Sequence, residues 1–349
     1  MPDMKNIRIT PQMAGQIAEL DEFKGAWAGF ARLQIEQLKT LKKISTIESI
    51  GSSNRIEGNR LSDEEVEQFL SRIRRKSFKS RDEEEVAGYA ELMDTIFENH
   101  EIIPVSENYI KQLHQILLRY VGKDEAHRGK YKKLSNSVAA FDADGKELGI
   151  VFDTATPFDT PRFMEELVEW TRKNLDDPFL HPLIVIGVFI VHFLAIHPFQ
   201  DGNGRLSRAL TAMLLLKKGY AFVPYCSIES IIEANKEGYY RALRSTQKNI
   251  WGTKVNYGPW LSFFLTTLLK QKRNLESKVE SMPKDDTRLG KTARAILGLF
   301  EDKPEWGAGE IAKTLGLNMN TTAKAIKTLV KDGYLVKHGT TRGAWYKRR

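Results

Sequence analysis

The sequence predicts a mainly α-helical protein that ends in a small α+β domain. Three observations carry this. Apolar residues recur at three- and four-residue spacing along most of the first 280 positions, the period of helices buried on one face. Strand-like character is confined there to NSVAAFDADGKELGIVFD (136–153). The charge is also uneven: of 53 Lys and Arg and 45 Asp and Glu, 13 and 5 respectively lie from Thr287 onward. The net charge of +8 therefore belongs to the C-terminal segment, which points to a neutral body followed by a polyanion-binding module.

Taken in order, residues 12–47 read as helix, with Ile17, Leu20, Phe23, Trp27, Phe30 and Leu33 on one stripe. SDEEVEQFLSRIRR opens with Ser62 and, three residues on, Glu65, a capping box before a second amphipathic segment. RDEEEVAGYAELMDTIFE and SENYIKQLHQILLRYV are two more. DADG is the expected turn of the hairpin in 136–153. Helices resume at 160–174, 183–196, 203–218, 229–247 and 258–280. The expected organisation is an N-terminal helical region (1–95), a core (96–280), a polar linker (281–290) and a terminal domain (291–349).

Several function classes recede. With 41% hydrophobic and 28% charged residues the composition is that of a globular chain. LIVIGVFIVHFLAI (183–196) is short for a bilayer span, so a buried helix and no membrane association are expected. MPDMKNIRIT lacks a signal-peptide pattern, and the single Cys226 allows no internal disulfide. A cytoplasmic location and a core role for Cys226 follow as expectations.

The chemistry concentrates in HPFQDGNGRLSR (197–208), at the end of the most apolar helix. Its glycines let backbone N–H groups face a shared hollow just where a helix begins, which is an anion site suited to phosphate. Arg205 and Arg208, three apart, present two forked cations to a polyphosphate. Asp201 is the carboxylate for Mg²⁺, which takes one carboxylate with phosphate oxygens and water. His197 remains as a general base, and Phe199 as an anchor into the core. Together these residues point to phosphoryl or nucleotidyl transfer.

The same residues match the HPFx[D/E]GNGRxxR signature, and the chain resembles the Fic family over roughly residues 40–275. The resemblance implies a Fic-type helical core with a short β-hairpin flap, transferring AMP from ATP to a Ser, Thr or Tyr hydroxyl of a target protein, which could include the chain itself. It implies that His197 deprotonates the hydroxyl and that Asp201 holds Mg²⁺. Gly202, Asn203 and Gly204 would cradle the phosphates, with Arg205 and Arg208 neutralising them. Tyr239 and Tyr240 would line the adenine pocket, Gln247 would contact adenine, and Gly149, Ile150, Val151 and Phe152 would form the flap holding the target backbone. The segment Ser53–Gly58 matches the family's (S/T)xxxE(G/N) inhibitory motif; Ser53 and Glu57 share a helix face and Gly58 is a natural terminator. Glu57 is then expected to pair with Arg208 and restrain the enzyme.

In the basic tail, GEIAKTLGL is a first helix ending near Gly316. NTTAKAIKTLVKDG is a second, with Asn320 as N-cap and Ala323, Ile326, Leu329 and Val330 on one face. Lys324, Lys327 and Lys331 lie away from that face, and two strands follow around GTTRG. This resembles a winged helix able to contact DNA through 291–349. Rival readings are a Fic enzyme using another nucleotide donor, one that removes AMP, or a nucleotide-sensing DNA-binding regulator. The oligomeric state, a homodimer included, stays open.

Overall fold

A computed structural model describes residues 2–31, 35–72, 78–141, 147–281, 289–339 and 343–348. The chain divides into two compact units, Met1–Glu280 and Ser281–Arg349. The first contains α1 (Pro11–Ala31), α2 (Ile35–Ile56), α3 (Asp63–Arg72), α4 (Arg81–Asn99), α5 (Glu107–Leu117), β1 (Ser137–Phe141) and β2 (Glu147–Asp153). It continues with α6 (Thr160–Leu175), α7 (Pro182–Ile196), α8 (Asn203–Lys217), α9 (Ile228–Glu233), α10 (Lys236–Gln247) and α11 (Gly258–Glu280).

The organising element is α7. It is apolar on every side and buried from Leu183 to Ile196, as a helix without a polar face must be. It packs against α6, α8, α10 and α11. Its start is fixed by Pro182 in the first turn and by His181, whose Nδ1 accepts the Leu183 N–H while Nε2 meets Asp21 at 2.9 Å. Gly187 lets α11 approach: an added Cβ would lie 2.7 Å from Leu261, and Trp260 Nε1 donates to the Gly187 carbonyl at 2.7 Å. At its other end α7 delivers residue 197 to a fixed place.

Two expected helices are each two. The 12–47 stretch divides into α1 and α2, with 32–34 outside the described residues, as is Leu33. Ile17, Leu20 and Trp27 are buried as the stripe requires. The 229–247 stretch breaks at Asn235, whose backbone leaves the helical region. Asn is a weak helix former, and the break lets α9 pack on α2 while α10 turns toward α7 and α11. The Ser62–Glu65 capping box forms reciprocally at 2.9 and 3.3 Å. β1 and β2 pair antiparallel, and the DADG turn lies outside the described residues. Cys226 is buried, and burial pushes its thiol up to about 11, as befits a core residue.

The second unit contains α12 (Lys291–Asp302), β3 (Glu305–Gly307), α13 (Ala308–Leu315), α14 (Met319–Lys331), β4 (Leu335–His338) and β5 (Trp345–Arg348). Its three-stranded antiparallel sheet has the order β3-β5-β4. The core gathers Ile296, Leu297, Phe300, Ile311, Ile326, Leu329 and Leu335. α12 and β3 stand beyond the two helices and two strands expected for this segment. α13 ends at Gly316 in the left-handed region. The N-cap of α14 is Asn318, not Asn320: the Asn318 carboxamide accepts the Thr321 N–H at 2.8 Å. Thr322, four residues before Ile326 and seven before Leu329, shares their buried face, whereas Ala323 is exposed. Lys324, Lys327 and Lys331 are exposed.

Candidate active site

Four chain segments meet at one cavity: the end of α2, the end of α7, the start of α8 and the inner face of α10. Its walls include Glu57, Leu194, His197, Asp201, Gly202, Asn203, Gly204 and Arg205, with Tyr239, Tyr240, Leu243 and Gln247 opposite.

His197 ends α7 in the left-handed conformation (φ 52°) and is the one non-glycine residue with positive φ among the described residues. An L-residue there is strained, and the following loop holds the strain. Phe199 is fully buried and stacks on His114 with ring centroids 3.8 Å apart. Asn203 grips the Phe199 backbone twice, accepting its N–H at 2.9 Å and donating to its carbonyl at 2.8 Å. Lys132 Nζ donates to the Ile196 carbonyl at 3.0 Å, and Lys132 N to that of Pro198 at 2.9 Å. His114 Nδ1 accepts the Gly129 N–H, so Nε2 carries the proton and donates to the Asp201 carbonyl at 3.0 Å.

His114 and Lys132 escaped the sequence reading as loop-holding groups. The first had a signal, a histidine within the apolar stripe Ile110–Leu113–Leu117 of α5. The second had none beyond its neighbourhood, since its partners come from Asn136, Thr154 and Ile196. Burial holds both below their usual range, His114 at about 4 and Lys132 at about 8.

The His197 ring is partly buried. Burial first, and Lys132 second, push its pKa down to about 4, so it is neutral at neutral pH. Nδ1 lies 3.3 Å from the Leu194 carbonyl, which can only accept. The proton therefore sits on Nδ1, leaving Nε2 as the free base.

Beside it, α8 starts after Gly202 (φ 77°) at the cap position, and no side chain caps it. The first-turn N–H groups of Asn203, Gly204 and Arg205 therefore remain to bind an anion. The Asn203 side chain does not take part in that cradle; it is held by Phe199. Arg205 is buried, pairs with Glu85 at 3.2 Å, and its Nε has no hydrogen-bond partner among the described residues. Such a donor suits a phosphate oxygen. Asp201 Oδ2 meets Arg81 at 2.9 Å and Arg205 Nη2 at 3.6 Å. Arg81 is a residue the sequence reading passed over.

The α2 end is built for Glu57. Gly58 N–H donates to the Arg55 carbonyl at 3.0 Å, Asn59 N–H to that of Asn54 at 3.1 Å, and Gly58 has φ 96°. These are the two bonds of a Schellman motif, with Glu57 at the cap position just past the helix. Arg208 reaches the same turn: Nε donates to Ser53 Oγ and Nη2 to the Ser53 carbonyl, both at 2.8 Å, and Nη2 to Glu57 Oε1 at 2.9 Å. Neither Arg208 nor Ser53 is among the cavity walls; Arg208 is drawn behind Glu57. The Glu57 carboxylate meanwhile lies over the first turn of α8, where a Cβ on Gly204 would collide with it.

Tyr239 is buried and Tyr240 half-buried, with ring centroids 5.2 Å apart. Gln247 Nε2 donates to the Val191 carbonyl at 3.3 Å. Gly149, Ile150, Val151 and Phe152 fall within β2; Phe152 pairs with Val138 and Ile150 with Ala139, which leaves Val151 as an extra residue. β2 lies against α10.

A buried helix thus delivers a histidine to an uncapped helix start beside Arg205, in a chain that carries a Fic/DOC region. Residues 104–215 match the Fic/DOC family, and residues 293–339 the IclR helix-turn-helix domain. The chain is similar to a probable protein adenylyltransferase of Aquifex aeolicus, 30% identical over 109 residues, 31% of this chain and 33% of that protein. It is similar also to protein adenylyltransferase Fic of Drosophila willistoni, 27% identical over 207 residues, 59% of this chain and 39% of that one. The chain thus spans a third to two fifths of these relatives. In fold it is similar to a Fic family protein of Desulfovibrio desulfuricans, with TM-score 0.62, 23% identity and coverage of 99% and 98%. Among the described residues no helix is long and apolar enough to cross a membrane.

Proposed function

We propose that the chain is a protein adenylyltransferase that moves AMP from ATP onto a Ser, Thr or Tyr hydroxyl of a protein and is restrained by its own Glu57. The observation that carries this reading is the neutral His197, its Nε2 free beside an uncapped helix N-terminus. His197 takes the hydroxyl proton; the oxygen attacks the α-phosphorus, and the bond to the β-phosphate breaks, releasing pyrophosphate. The N–H groups of residues 203–205 and the Arg205 guanidinium hold phosphate oxygens, while the Tyr239–Tyr240 side receives the base. Asp201 lines the cavity, and its carboxylate would hold a divalent ion shared with phosphates in exchange for the Arg81 contact. Bound Mg²⁺ would offset charge on the phosphates.

Restraint follows from two contacts. Glu57 holds Arg208 away from the phosphate side, and its carboxylate stands over the first turn of α8. With Glu57 in the wall the cavity is about 120 Å³, below the roughly 300–1,000 Å³ of small-molecule sites. Intact-mass analysis after incubation with Mg-ATP, on the chain and on candidate targets, tests the function. An adenylyl increment that disappears in His197→Ala supports it. Release of AMP from modified protein without any addition would favour the reverse reaction.

The second unit is proposed to bind DNA, on the strength of the IclR match and the exposed Lys324, Lys327 and Lys331 of α14.

A further inference from the structure

Arg55 lies between Ser53 and Glu57 in the chain, two residues from each. At 3.6 residues per turn it points to the other side of α2. There it makes a dense set of contacts. Nε and Nη2 donate to the two oxygens of Glu233 at 2.7 and 3.0 Å, a bidentate pair. Nη1 donates to Asp63 Oδ1 at 2.8 Å and to the Leu61 carbonyl at 3.0 Å, and Nη2 also to Ser52 Oγ at 3.2 Å. Gly51 is the floor beneath: a Cβ there would strike both the Arg55 guanidinium and Asp63.

The partners occupy telling positions. Glu233 is the last residue of α9, immediately before the turn into α10, which bears Tyr239 and Tyr240. Asp63 is the first residue of α3, at the far side of the loop that follows Glu57. One guanidinium therefore ties the helix before Glu57 to the segment after it and to the helix beside the tyrosines.

We propose that Arg55, through Glu233 and Asp63, is a positioning residue for restraint: it sets the angle at which the α2 end presents Glu57 to Arg208 and Gly204. This rests on the inhibitory reading of Glu57. The Schellman turn alone fixes the local backbone, but its direction in space needs an anchor on the face away from Arg208, and Arg55 supplies it. The side chains of Arg55, Glu233 and Asp63 are 22%, 30% and 38% exposed, so the anchor can be loosened without opening the core.

The test uses the full chain with Glu233→Gln, alone and with Asp63→Asn, in the presence and absence of Glu57→Gly. Hydrogen exchange of amides 53–59 and the rate of adenylyl transfer are both read. Loosening one charged bidentate contact at a partly exposed site corresponds to about a three- to tenfold change in docking of Glu57. Exchange should quicken, transfer should rise by about that factor, and neither substitution should raise transfer further once Glu57 is glycine. A thermal melt confirms folding, and Arg55→Lys, which keeps the charge and loses the fork, should repeat the effect. Unchanged exchange and transfer beside an activated Glu57→Gly overturns the positioning role and spares the inhibitory reading. An equal rise in the Glu57→Gly background also overturns it, because the effect then bypasses Glu57. If Glu57→Gly itself is not activated, the inhibitory reading falls, and the proposal with it.

Discussion

Replacing Glu57 by Gln keeps the side chain's shape and removes its charge. Glu57 Oε1 lies 2.9 Å from Arg208, which is 3% exposed against 33% for Glu57. A hydrogen bond between charged groups contributes about 1.5–3 kcal/mol, and with a third of Glu57 in solvent the lower end, about 1.5 kcal/mol, is the fair value. That makes Arg208 about tenfold more available to a competing phosphate. Glu57→Gly goes further and clears the side chain from above Gly204, which adds correct seating of ATP, where misplacement by about 1 Å costs on the order of 10²-fold. The expected result is a rise in adenylyl transfer of about 10- to 100-fold, self-modification included. Stability should move the other way. Arg208 keeps both Ser53 contacts but loses its anion, so the free variant should melt about 2–4 °C lower, and Mg-ATP should raise its melting point more than the wild type's. Intact-mass time courses and paired melts measure both. Equal transfer rates in folded Glu57→Gln, Glu57→Gly and wild type would refute the restraint.

His197→Ala should abolish transfer and leave ATP affinity nearly unchanged, measured by calorimetry, because the base meets the acceptor hydroxyl and not the nucleotide. Gly204→Ala should displace Glu57 yet fail to activate, since its Cβ also blocks phosphate from the α8 backbone; transfer equal to Glu57→Gln would contradict this. His114, His192 and His197 are held at about 4, 3 and 4 by burial, so the unfolded chain binds more protons than the folded one below about pH 6.5. Stability should therefore fall as pH drops from 6.5 toward 4, by up to about 1.4 kcal/mol per pH unit for each histidine, read from urea midpoints. If the second unit binds duplex DNA, log affinity should fall linearly with log salt, and Lys324→Ala should flatten the slope by about 1 if it neutralises one phosphate. No binding at low salt would leave that unit as a protein-contact module.

Sequence alone was enough for the parts whose physics is local. A helix with no polar face must be buried, so 183–196 could lie only at the centre of the body. Glycines flanking Asn203 before an apolar helix announce an anion site wherever the chain goes. Gly58 and Gly316 stop helices because only glycine takes the left-handed turn cheaply. Boundaries resting on weaker local preferences came out differently: the break at Asn235 and the cap at Asn318 depend on which neighbours the helix must meet. The tertiary structure decided the rest. That the Ser53 hydroxyl and carbonyl both hold Arg208, that Asp201 meets Arg81, and that His114 and Lys132 hold the loop all join residues far apart in the chain. Spacing along a helix says which side chains share a face, but not what that face will meet. For charged groups in a half-buried site, the neighbour across the gap determines whether a guanidinium waits for phosphate or is already held.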